Sequence, residues 1–175
     1  FCLAFYYENS LNINSIINRF RYLKPVEGRG LIHKIFLNEK KLTVIDESYN
    51  ANPDTMLQSI EYLKNIKKHN NKKILILGTM NEMGNNSHKI HYNLLNKLDE
   101  TIFKLVILCG EFYELSIKKL LNPKNEFIYF KNKNKIMQFL KNKIHNNDII
   151  LIKCSNSTEI NKFTKTLIEK ETWFD

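Results

Sequence analysis

The stretch VIDESYNANPDTM, Val44 to Met56, sets two adjacent carboxylates, Asp46 and Glu47, directly behind an apolar run. Tyr49, Asn50, Asn52 and a proline follow at once. Asn52 is a good helix N-cap, Pro53 suits the first helical position, and Asp54 complements the positive end of a helix. Capping leaves Asp46, Glu47, Tyr49 and Asn50 unexplained. They are either solvated loop residues or a site in which a carboxylate accepts both hydroxyls of a ribose, as acids do in dinucleotide folds.

Two further stretches leave apolar runs in the same way. LGTMNEMGNNSHKIH, Leu77 to His91, offers Gly78 for close approach of a ligand, then Thr79, Glu82, and His88 and His91 three apart on the next helix. A histidine pair with a glutamate nearby could suggest zinc, but H-x-x-H without a clear third ligand is a weak signal, so helix packing is the better account and no metal site is expected in this chain. LIKCSNSTEI, Leu151 to Ile160, ends its apolar run on Lys153, with Ser155, Asn156 and Ser157 placed to cap a helix. The same geometry binds anions, and Lys153 adds a charge that capping does not need. No G-x-x-x-x-G-K-[ST] and no G-x-S-x-G occurs, so a phosphate-cradling loop and a nucleophile elbow are both missing. A phosphorylated ligand here would need its phosphate grip supplied from elsewhere.

The elements that must position these residues are legible as alternation. Lys41 to Asp46, Lys73 to Gly78, Lys104 to Gly110, Glu126 to Phe130 and Asp148 to Lys153 are short continuous apolar runs, as strands covered on both faces should be. Between them lie amphipathic segments. In PDTMLQSIEYLKNIKK, for example, Met56, Leu57, Ile60, Leu63 and Ile66 share a helix face. Strand–helix alternation predicts an α/β fold with a Rossmann-like, doubly wound and mainly parallel sheet. GLIHKIFLNEKKLTVID predicts a hairpin before the first parallel strand, with LNEKK as its turn. Residues 1–22 have the character of closing helices of a preceding domain, 23–30 of a linker, and 31–175 of the α/β domain.

Bulk properties narrow the function. The 175 residues are 43% hydrophobic and 26% charged, ordinary for a soluble globular domain. The formal charge of +9 invites a nucleic-acid partner. The lysines, however, are dispersed among asparagines in KNIKKHNNKK and FKNKNKIMQFLKNK, with no ribonucleoprotein aromatic motif, zinc finger or basic arm. Cys2, Cys109 and Cys154 show no C-x-x-C spacing, and two of them close apolar runs, which fits buried thiols in a reducing cytoplasm. No apolar run approaches the ~20 residues of a membrane span. The opening FCLAFYYENS lacks the marks of a signal peptide and has the look of mid-sequence.

Four segments in order, Gly28-Arg29-Gly30, IDESYNANPDTM at 45–56, ILGTMNEMG at 76–84 with His91 following, and LIKCSN at 151–156, resemble the C-terminal domain of the Mur ligases. The resemblance is to the branch that adds D-alanyl-D-alanine to UDP-N-acetylmuramoyl-tripeptide, and D-[DE]-S-Y-N-A-N-P is its specific element. It implies an ATP-dependent amide ligase of peptidoglycan precursor synthesis, with ATP and Mg²⁺ held mainly by a central domain and the UDP end by an N-terminal domain. Those domains, the UDP-linked tripeptide and D-alanyl-D-alanine are the partners it implies, for a cytoplasmic monomer without nucleic acid. By position it assigns Arg29, Glu47, Tyr49 and Asn50 to the nucleotide, with Asp46 a secondary acceptor. Asn52, Gly78, Thr79, Glu82 and Ser155 fall on the substrate side, and Lys153 near the acyl phosphate. The family usually carries G-D-M where Gly78-Thr79-Met80 stands, and K-G-S where Lys153-Cys154-Ser155 stands. Two alternative readings are a non-catalytic module derived from this family and a basic nucleic-acid-binding domain.

Overall fold

The computed structural model describes residues 25–67, 69, 72–101 and 103–171, together with 17, 18 and 22. The expected closing helices at 1–22 therefore lie, but for those three positions, outside the described residues. β1 (Leu31–Leu37) and β2 (Lys40–Glu47) form the expected antiparallel hairpin. Its two-residue turn, Asn38 and Glu39, has both residues at positive φ (52° and 62°), the primed geometry that matches strand twist. Then α1 (Pro53–Asn65), β3 (Lys73–Gly78), α2 (Ser87–Leu98), β4 (Leu105–Cys109), α3 (Glu111–Lys118), β5 (Phe127–Phe130), α4 (Ile136–Lys143), β6 (Ile149–Lys153) and α5 (Glu159–Glu171) alternate as predicted. The order across the sheet is β1-β2-β6-β3-β4-β5, parallel everywhere except at the β1 edge.

Strand periodicity divides the core in two. Val44, Ile74, Ile76, Ile107, Ile150 and Ile152 face Ile136, Leu140, Ile160, Phe163 and Leu167 of α4 and α5. Their neighbours Ile45, Leu75, Leu77, Val106, Leu108 and Leu151 face Met56, Ile60, Leu63, Leu94, Leu95, Leu98 and Tyr113 of α1, α2 and α3. Continuous apolar runs are what two covered faces require, which is why these strands showed no alternation of polar and apolar residues. β6 is the last strand in sequence but is inserted between β2 and β3. β2 and β3 lead into helices on one face, whereas β6 leads into α5 on the other. That reversal opens a crevice at the carboxyl ends of the strands, where open α/β sheets bind ligands.

Candidate functional site

Adjacent side chains on a strand point to opposite faces, and this separates the two acids. Glu47 continues the row of Ile45 on the α1 face, whereas Asp46 continues the row of Val44 on the α5 face. Glu47 is paired in register with Lys153 at the end of β6. Lys153 lies beside it, with Nζ 3.2 Å from Glu47 Oε2 and donating to the Asn50 carbonyl at 3.2 Å. The Lys153 side chain is only 3% exposed, and the Glu47 side chain keeps 30%. Oxygen Oε1 of Glu47 accepts no hydrogen bond among the described residues. It has room because Gly30 is bare: a Cβ there would come within 3.2 Å of it.

Around this pair is a cavity of about 390 Å³. Gly28, Arg29, Tyr49 and Asn50 form one side, and Thr55, Gln58, Ser59 and Tyr62 of α1 the other. The Arg29 guanidinium lies over the Tyr49 ring, 4.3 Å from its centroid, a cation–π contact that holds two exposed side chains in one place. The structure brings Arg29, Glu47, Tyr49 and Asn50 around one cavity, and Lys153, assigned by the resemblance to the acyl phosphate, lines it as well. The α1 residues were missed in the sequence. Their signal was a polar stripe at helical spacing, Thr55, Gln58 or Ser59, and Tyr62, directly after the cap.

Asp46 is not in that wall. It is 2% exposed, and Oδ2 accepts the Gly28 amide at 3.0 Å while Oδ1 accepts both the amide (3.0 Å) and hydroxyl (2.6 Å) of Ser48. A carboxylate so occupied, on the far face of the strand, replaces the expected secondary ribose acceptor with a structural clip.

The family model described as "Mur ligase, glutamate ligase domain" matches residues 34–156. The chain belongs to the Mur ligase family. A UDP-N-acetylmuramoyl-tripeptide–D-alanyl-D-alanine ligase of Rickettsia prowazekii is 32% identical over 145 residues, 81% of this chain and 31% of that protein. The ligase of the same description from Buchnera aphidicola of Acyrthosiphon pisum is 30% identical over 83% of this chain and 30% of its own length. This Mur ligase chain therefore spans about a third of the curated relatives it matches. A MurF ligase from Thermotoga maritima solved in complex with ADP superposes with a TM-score of 0.65 at 25% identity, over 85% of this chain and 32% of that one. A MurF from Acinetobacter baumannii reaches 0.75 at 19% identity, over 91% and 34%, which supports the fold.

Other positions singled out in this Mur ligase chain lie apart from the cavity. Asn52 is spent on capping: its side chain accepts the Thr55 amide at 2.9 Å, and Thr55 Oγ1 accepts the Asn52 amide at 3.2 Å. Gly78 is the buried last residue of β3 rather than part of a ligand-facing turn. A Cβ there would sit 2.6 Å from the Cβ of Cys154 and 3.0 Å from that of Ile160, so the bare position makes room for Cys154. Thr79 lines a second cavity of about 380 Å³ with Asn81, Gly110, Glu111 and the start of α5. Ser155 stitches the two loops together, its amide donating to the Thr79 carbonyl (3.3 Å) and its hydroxyl accepting the Asn81 amide (3.0 Å). Glu82 is exposed at φ 64° and lines neither cavity. The cap of α5 is Thr158, whose Oγ1 accepts the Asn161 amide at 3.4 Å, not Ser155 to Ser157.

His91 is a packing residue. Its Nε2 accepts the Met80 amide at 3.0 Å and its Nδ1 lies 2.7 Å from the Ser87 carbonyl, a pattern that fits the neutral ring. Burial holds its pKa below the ordinary value, with the Ser87 bond opposing and His88 reinforcing the shift. No group of three metal-ligating side chains occurs among the described residues. Burial pushes the Cys154 thiol up to about 12 and the Cys109 thiol up to about 11, so both are protonated and unreactive near neutrality. No described helix is long and apolar enough to cross a membrane.

Proposed function

We propose that this chain is the C-terminal, nucleotide-closing part of a cytoplasmic ligase that uses ATP to join D-alanyl-D-alanine to UDP-N-acetylmuramoyl-tripeptide. The observation that carries the reading is the cavity joining Glu47, Lys153, Arg29 and Tyr49 at the switch point of the sheet. Its chemistry fits a nucleotide. Glu47 Oε1 is an open acceptor for a ribose diol, Arg29 a cation for phosphate oxygens, and Tyr49 a π surface for a base. The ADP in the Thermotoga relative is consistent with this.

In this reading the phosphate grip, Mg²⁺ and the UDP end belong to the two-thirds of the relatives that this chain does not span. ATP supplies the activation of the tripeptide carboxylate. The chain's own residues bind and orient. Glu47 accepts the ribose hydroxyls, Lys153 fixes Glu47 and adds positive charge beside the reacting phosphoryl group, and Asn50 continues the nucleotide side. On this reading the incoming dipeptide is assigned to the side of Thr79, Glu82 and Ser155.

The test is turnover by the chain alone and mixed with the upstream domains. Alone it is expected to be silent, and mixing is expected to give ATP-dependent ligation that Glu47→Ala and Arg29→Ala abolish. Turnover by the isolated chain overturns the fragment reading. Full activity in both variants would favour a non-catalytic module.

A further inference from the structure

Asp46 does not line the cavity, yet its carboxylate ties together two segments, the turn at Gly28 and the loop at Ser48, and a third is bonded to that loop. Besides the Gly28 and Ser48 bonds, its own carbonyl accepts the Gly30 amide at 2.7 Å, and the Gly28 carbonyl accepts the Tyr49 amide at 3.1 Å. The Ser48 carbonyl in turn accepts the Asn161 side-chain amide of α5 at 2.8 Å. Gly28 fits only because it is bare and left-handed: at φ 74°, a Cβ would stand 2.9 Å from that of Tyr49. The linker turn is therefore fastened to the acid loop, and the acid loop to α5.

From this we infer that Asp46 is a positioning residue. It makes the turn carrying Arg29 and the loop carrying Glu47 and Tyr49 a single body, so Arg29 stays over Tyr49 at the cavity mouth. Any swing between this domain and what precedes it then pivots before Gly28, and Arg29 travels with Glu47. The consequence for nucleotide affinity rests on the proposed function; the clip itself does not.

Amide hydrogen exchange on the full chain tests the clip, and ADP binding by calorimetry on the chain mixed with the upstream domains, which supply the phosphate grip, tests its use. In the unsubstituted chain the Gly28 amide is expected to be protected on the order of a hundredfold; exchange at its intrinsic rate overturns the inference without any variant. Asp46→Asn keeps an acceptor for Ser48 but turns an NH₂ toward the Gly28 amide. Gly28 and Tyr49 should then exchange on the order of tenfold faster, with Ile150 and Ile152 unchanged. No change at Gly28, or equal loosening of the core strands, overturns it. Ser48→Ala should leave Gly28 exchange as it was, and an effect matching Asp46→Asn would assign the clip to the loop rather than to Asp46. For ADP, Arg29→Ala and Asp46→Asn should each weaken binding about tenfold, and the double variant no more than Arg29→Ala alone. Additive losses overturn the positioning role. If Glu47→Ala leaves ADP affinity unaltered, or ADP does not bind, the nucleotide reading fails while the exchange result stands.

Discussion

Two buried lysine–carboxylate pairs sit at opposite ends of this sheet, and they are built differently. At the amino ends of the strands, Lys104 pairs with Asp148, which also accepts the His145 amide at 2.7 Å. Lys104 Nζ is also 2.6 Å from His145 Nδ1. The Asp148 side chain is fully buried, and neither residue lines the cavities described above. At the carboxyl ends, Lys153 is the buried member, while Glu47 remains partly open beside the cavity with one oxygen unused. The first pair also leaves one carboxylate oxygen, Asp148 Oδ1, without a hydrogen bond among the described residues, but that oxygen is buried and away from both cavities. The second buries its cation and leaves its anion facing a cavity, the arrangement a ligand-accepting pair needs and a purely structural tie does not.

Removing one partner from each pair should break the comparison most sharply. Asp148→Ala strands a largely buried lysine and is expected to cost about 3 kcal/mol in urea denaturation, with ADP affinity unchanged. Glu47→Ala leaves Lys153 its bond to the Asn50 carbonyl, so its stability loss should be smaller, about 1–2 kcal/mol, while ADP affinity falls at least about tenfold. Equal effects of the two substitutions on affinity would erase the distinction. A gentler probe is Gly30→Ala, which places a side chain at φ 88° and crowds Glu47 Oε1. It should cost about 1 kcal/mol and weaken ADP, with circular dichroism unaltered.

The smallest effect is expected from pH at the carboxyl end. Folding keeps His91 neutral, so below its ordinary pKa near 6.5 the unfolded chain binds the extra proton. The stability His91 contributes is complete above that value and declines as pH falls toward the lowered folded pKa. Denaturation midpoints at pH 7.5 and 5.5 check this. A His91→Gln chain should show a shallower decline, and an identical one would remove His91 as the cause.

Much of this was legible in the sequence because it depends on local pattern. Continuous Ile-Leu-Val runs named the covered strands, and Asn52-Pro53-Asp54 named the start of α1. The preference for Glu47 over Asp46 came from the resemblance, and strand periodicity supplies its physical reason, since only one of two neighbours can face α1. What escaped was held by long-range contact. The bond from Gly28 to Asp46 joins residues 18 apart, and that from Asn161 to Ser48 joins residues 113 apart. Gly78 looked like a ligand-facing turn because its neighbours did; only the packing of Cys154 from β6 reveals why it is bare. Ser155 to Ser157 resembled a cap, yet the chain makes one further turn before α5 begins at Glu159, and Thr158 takes that task.

The central place of β6 has a consequence for how the site comes into being. Glu47 and Lys153 are 106 residues apart in sequence, and the strand bearing Lys153 must enter between two strands made long before it. During synthesis, β2 and β3 leave the ribosome with a gap between them and no sheet partner for either across it. Most of the cavity wall lies between residues 28 and 62, but Lys153, which holds Glu47, joins it only once the gap is filled. A chain cut short before residue 149 would lose the middle strand of the sheet and, with Lys153, the partner that orients Glu47.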